Sequence, residues 1–74
     1  MYIAILPTYY EVYAIGETME EVKKNIVKGY KKAYPRKEGR SVKASYEELR
    51  EYFGISIYKI DPKRGFAIEG DPVE

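Results

Sequence analysis

The chain has 74 residues, 45% hydrophobic and 34% charged, with no cysteine, no histidine and a formal net charge of +1. That length allows one domain, expected to span residues 1–74. Absent cysteine excludes disulfides and thiolate metal sites, and absent histidine removes the usual general base and the commonest metal ligand.

Tyr2-Ile3-Ala4-Ile5-Leu6 reads as a first strand, and Pro7-Thr8 as the turn that interrupts it. Tyr9 to Ile15 reads as a second strand, ended by Gly16 and close enough to the first for a hairpin. Thr18-Met19-Glu20-Glu21 has the capping-box pattern. Met19, Val22, Ile26, Tyr30 and Ala33 follow at steps of three and four, which predicts an amphipathic helix stopped by Pro35. Glu20 and Glu21 suit the positive end of that helix, and Lys31 and Lys32 the negative end. Gly29 falls mid-helix, where it costs about 1 kcal/mol relative to alanine.

Residues 35–44 read as a basic loop. Ser45-Tyr46-Glu47-Glu48 is a second capping box, opening a short helix through Leu49, Tyr52 and Phe53 to a Gly54 cap. Ile55 to Ile60 alternates as a strand. Asp61 to Gly65 is a turn, Phe66 to Glu69 a last short strand, and Gly70 to Glu74 a tail expected to fray. The order ββααββ predicts a small two-layer α+β domain: an antiparallel sheet of about four strands with two helices on one face. Its core is expected to draw on Ile3, Ile5, Val12, Met19, Val22, Ile26, Tyr30, Leu49, Phe53, Ile55 and Ile57.

The charges are sorted by position. Lys23 to Lys43 holds nine of the thirteen basic residues and one acid, Glu38, so this segment carries +8 and the remainder −7. A field so divided steers a partner toward one face. Lys24, Lys28, Lys31 and Lys32, with Arg36, Lys37, Arg40 and Lys43, form the candidate basic surface. It suits phosphates, or an acidic protein that binds or processes nucleic acid. The plain alternative is a solvated face that keeps the protein soluble.

Tyrosine is over-represented, at nine copies. With both helices on one side, the other face of the sheet is expected to carry Tyr2, Ala4, Leu6, Tyr9, Glu11, Tyr13, Ile15 and Tyr58. So apolar a patch is rarely left bare. Homodimerisation through it is the leading expectation, with Tyr9, Tyr13 and Tyr58 as dimer contacts. Stacking of a nucleotide ligand on the same tyrosines is the rival.

Enzyme signals are nearly absent: the chain has no phosphate-binding glycine loop and no nucleophile elbow. The acid pairs Glu20/Glu21 and Glu47/Glu48 are explained by helix starts. No catalytic residue, metal ligand or cofactor is expected. No apolar run approaches the ~20 residues of a membrane span, and no signal peptide is visible, so the expected location is cytoplasmic, without membrane contact.

Gly16-Glu17-Thr18-Met19-Glu20-Glu21-Val22, continuing to Asn25, resembles the signature of HicB-like antitoxin domains, in which a strand ends in a Gly-acid-Thr turn before an amphipathic helix. The similarity covers residues 2–34. It implies a small dimerising scaffold that binds another protein and neutralises it, and it maps no functional residue. Residues 45–69 read helix, strand, strand where many members carry an operator-binding segment. The expected function is thus a non-catalytic inhibitor, either an antitoxin or a phage-type blocker of a host defence effector. Alternatives are a binder that sequesters a nucleotide or cyclic-oligonucleotide signal and, more weakly, a nucleic-acid binder using the basic helix face and loop.

Overall fold

A computed structural model describes residues 1–7, 11–34 and 45–74. The element order is β1 (Tyr2–Leu6), β2 (Val12–Gly16), α1 (Met19–Ala33), α2 (Tyr46–Phe53), β3 (Ser56–Asp61), a 3-10 turn (Pro62–Arg64) and β4 (Ala67–Glu69). The four strands form one antiparallel sheet in the order β2-β1-β3-β4. Both helices pack on one face of it, giving the α+β architecture the pattern implies. Among the described residues, no helix is long and apolar enough to cross a membrane.

Local chemistry sets the element ends. The Thr18 hydroxyl accepts from the Glu21 amide at 3.1 Å, while the Glu21 carboxylate accepts from the amide of Glu17, one residue before the cap. Ser45 and Glu48 close a full reciprocal capping box on α2. Gly54 ends α2 in the left-handed region at φ 79°, a conformation that costs glycine nothing.

Val22 and Ile26 on α1 are fully buried, each burial contributing about 1.5–3 kcal/mol. They meet Ala4 and Leu6 of β1, Val12 and Ala14 of β2, Tyr46 and Leu49 of α2, and Ile55 and Ile57. The small pair Ala4↔Ala14 lies side by side in the sheet beneath the helix layer. Gly29 continues the close approach, since a Cβ there would stand 2.9 Å from Val12 Cγ1.

This packing reverses the expected phase of β1. Ala4 and Leu6 point into the core, and Ile3 and Ile5 lie half-buried on the other face. Every residue of β1 is apolar or aromatic, so its sequence has no alternation to fix the phase. Pairing with β2 fixes it instead, with Ala4 opposite Ala14 and Leu6 opposite Val12. Met19, Tyr30 and Phe53 flank the core half-buried, and Tyr46, expected only as a helix start, is buried within it.

The last residues do not fray. Ile57 donates its amide to the Glu74 carbonyl at 2.9 Å and accepts from the Val73 amide at 2.7 Å. The Glu74 carboxylate also meets Lys23 Nζ at 3.0 Å. Residues 73–74 therefore line the same margin of β3 that β4 begins. Two main-chain bonds offset the ordering entropy that releases most chain ends. The expected turn at 61–65 tightens into a 3-10 turn capped by Asp61, and Gly65 and Phe66 both take left-handed backbone, at φ 64° and 60°.

Candidate functional site

Among the described residues, the sheet face away from the helices carries no covering layer. Strand register puts its side chains in rows: Ile15, Ile3 and Tyr58 in one, Tyr13, Ile5 and Ser56 in the next, and Ile60 and Ile68 in a third. Tyr13, Ile15 and Ile68 are each about half exposed, as is Phe66. Ile60 is buried on this side, apart from the main core. The Tyr13 hydroxyl donates to the neighbouring Glu11 carboxylate. That bond, then the negative charge itself, holds the Tyr13 phenol above its ordinary pKa.

Tyr2, Ala4 and Leu6 do not belong to this face, and Ile3 and Ile5 take their place. Tyr13 and Tyr58 do share it, but they do not form a clamp. They lie on β2 and β3 with β1 between them, two strand spacings or about 10 Å apart, and one row out of step. Tyr9 lies outside the described residues.

The hydrogen-bond phase identifies a second feature, the free margin of β2. Ile57 spends both main-chain groups on residues 73–74, and Ile60 donates to Met1 across the β1 side. Alternation then points residues 1, 3 and 5 of β1 toward β3, and residues 2, 4 and 6 toward β2. On β2 it points Val12, Ala14 and Gly16 toward β1, which leaves the main-chain groups of Tyr13 and Ile15 facing outward. The Ile15 carbonyl accepts from Asn25 Nδ2 at 2.8 Å, a side chain reaching down from α1. Asn25 therefore marks the flank of α1 above this margin, and helical spacing places Lys28 and Lys32 on the same ridge.

Lys24, Lys28, Lys31 and Lys32 are all exposed, as expected. Lys24, Lys28 and Lys31 line a shallow groove whose other wall is Tyr46 and Glu47 of α2. Lys23, left out of the candidate surface, is half-buried. It pairs with Glu74 and sits 4.9 Å from the centre of the Tyr46 ring. The Tyr46 hydroxyl is buried without a partner at hydrogen-bonding geometry among the described residues. Burial, then the nearby Glu74 charge, raises its pKa. Arg36, Lys37, Arg40 and Lys43 lie outside the described residues, and with them the loop half of the basic surface.

The α1 lysines and the outer-face tyrosines are on opposite sides of the two layers. A helix about 10 Å thick stands between them.

Gly16, Thr18 and Asn25, which carry much of the antitoxin-like resemblance, have local structural work. Gly16 has no room for a side chain, because a Cβ would meet Val22 N at 2.4 Å. Thr18 caps α1, and Asn25 ties it to β2. The Asn25 bond is legible in sequence only as a polar residue at the margin of an apolar stripe. No family model matches the chain, and neither a curated protein nor a solved structure matches it.

Proposed function

We propose that the protein is a non-catalytic binding module that neutralises a partner protein by docking it on the outer face of the sheet. The observation that carries this reading is the apolar surface formed by Ile15, Ile3, Tyr58, Tyr13 and Ile5, which no helix among the described residues covers. The proposed partner is acidic where it reaches past the sheet to the four exposed lysines of α1 on the helix layer, as a protein that processes nucleic acid would be. The antitoxin-like turn and helix at Gly16 to Asn25 point the same way, to an inhibitor working in the cytoplasm.

In the free protein a second copy is proposed to cover the same face, weakly. Four strands of about five residues span roughly 19 by 17 Å, or about 300 Å². A stable interface takes about 800 Å² from each partner. A homodimer on this face alone is therefore concentration-dependent, and a partner whose contact extends beyond the face displaces it.

The test is titration of isotope-labelled protein with the purified products of adjoining reading frames, followed by amide chemical shifts. The reading expects one product to move the signals of Ile3, Ile5, Tyr58 and Ile68, and Ile3→Lys with Ile68→Lys to abolish the effect with the fold intact. Shifts confined to the α1–α2 groove would overturn it. So would heat from a cyclic oligonucleotide at micromolar concentration that is lost in Tyr13→Ala or Tyr58→Ala.

A further inference from the structure

The outward main-chain groups of β2 carry a more specific inference, which rests on the binding-module reading. We propose that the free margin of β2 receives an extended segment of a partner protein as a fifth strand, and that this segment alternates acidic and apolar residues.

The main chain supplies the first half of the argument. The Tyr13 N–H and C=O and the Ile15 N–H point away from β1 and have no partner among the described residues, while Asn25 takes the Ile15 carbonyl. This is a short template for strand addition, the mode in which main-chain bonds give affinity and alternate side chains give specificity. The other edge strand, β4, is a shorter template of three residues, Ala67–Glu69, at the end of the sheet away from α1.

The flanks supply the second half. Side chains of an added strand alternate between the two faces of the sheet. One set joins the apolar rows ending in Tyr13 and Ile15. The other set lies beneath the α1 ridge that carries Asn25, Lys28 and Lys32 along Val12 to Ile15, with Glu21 beyond it beside Glu17, so carboxylates are favoured toward the Val12 end.

The same ridge disfavours a second copy of this chain. Gly29 lies over Val12 and Asn25 over Ile15, so Lys28 stands level with the middle of β2. A two-fold pairing of β2 with β2 sets two α1 ridges side by side, each carrying Lys28 and Lys32, and their like charges oppose association at low salt. Lysines beside a short exposed strand are also how proteins avoid self-association.

The probe is a fluorescent twelve-residue peptide of alternating glutamate and valine, with a lysine–valine peptide as control. The proposal expects binding of the acidic peptide alone, with amide exchange at Tyr13 and Ile15 slowed on binding. Lys28→Glu with Lys32→Glu should weaken binding by about tenfold or more at low salt. Ile15→Pro deletes an outward N–H, a change tolerated at a strand margin, and should cost about tenfold, whereas Ile15→Ala costs about threefold at most. Two peptides, N-methylated at every valine or at every glutamate, test the same point on unaltered protein. An added strand uses only one alternate set of amides, so one should bind and the other fail.

Equal losses in Ile15→Pro and Ile15→Ala without amide protection would place the peptide on the sheet face. That overturns strand addition and leaves the binding-module reading standing. Failure of the acidic peptide to bind overturns the proposal. Concentration-dependent protection of Tyr13 and Ile15 in the protein alone also overturns it, because a second copy would then hold the margin.

Discussion

Gly29→Ala should destabilise this protein, although the same change in an ordinary helix stabilises it by about 1 kcal/mol. The new Cβ would stand 2.9 Å from Val12 Cγ1, inside van der Waals contact. Valine cannot easily swing clear, since its branched Cβ restricts χ1 and its methyls sit two bonds from the strand's Cα. Val12 is 7% exposed and paired with Leu6, so β2 cannot shift without disturbing the core. Overpacking of this kind costs about 1–3 kcal/mol, enough to cancel the propensity gain and usually exceed it. The net expectation is a loss of up to about 2 kcal/mol, or roughly 8–16 °C in Tm for a domain of this size. The partner change makes the test sharp. Val12→Ala alone removes about two methylene equivalents, costing at least about 1.6 kcal/mol, and it also removes the clashing atom. In that background Gly29→Ala should stabilise by about 1 kcal/mol, so its sign reverses. Urea unfolding of the four proteins, followed by circular dichroism, measures the cycle. A higher midpoint for Gly29→Ala in the Val12 protein would refute the close approach of α1 to β2.

Two other outcomes follow from buried or ordered groups that the sequence pattern hides. Tyr46→Phe should raise stability by about 1 kcal/mol at neutral pH, because it removes a buried hydroxyl that has no partner at hydrogen-bonding geometry among the described residues, the Glu74 carboxylate lying near but outside it. Burial raises the folded-state pKa of Tyr46, so the protonated phenol favours the native state. That contribution is present below the ordinary value near 10 and is lost as pH rises through the folded value. Unfolding scans between pH 8 and 12 should therefore show a shallower alkaline loss in Tyr46→Phe, and parallel curves for the two proteins would count against it. The Ile57 amide should exchange slowly with solvent, and deletion of residues 73–74 should release it. Fast exchange in the intact chain would mean that the tail does not hold β3.

Where periodicity was strong, the fold was legible. Met19, Val22 and Ile26 at helical spacing located α1, and Thr18 and Ser45 marked both helix starts. Legibility failed where local pattern is silent. The run from Tyr2 to Leu6 is apolar on both faces, so only cross-strand pairing with Ala14 and Val12 chooses the inward set. Tyr46 reads as a surface residue at a helix start, yet its ring fills the space between α2 and Lys23. The tail reads as loose because Gly70, Asp71 and Pro72 suit a bend, and its anchor is main-chain bonding that no side chain advertises. The candidate site divides the same way. The lysine face followed from helical spacing, whereas the free groups of Tyr13 and Ile15 depend on bond phase passed from β3 through β1 to β2.

The position of β1 between β2 and β3 has a kinetic corollary. Residues 2–33 bring β1, β2 and α1 together through near-neighbour contacts, which form fast because little chain must be closed. The pairing of Ile5 with Ser56 waits on a loop that runs through most of the polypeptide. A partly assembled molecule therefore has β1 zipped to β2 on one side and bare on the other, showing the Ile3 and Ile5 main chain to any passing strand until β3 arrives. Slow arrival of β3, during synthesis or after dilution from denaturant, is the interval in which this chain is most open to mispairing with copies of itself.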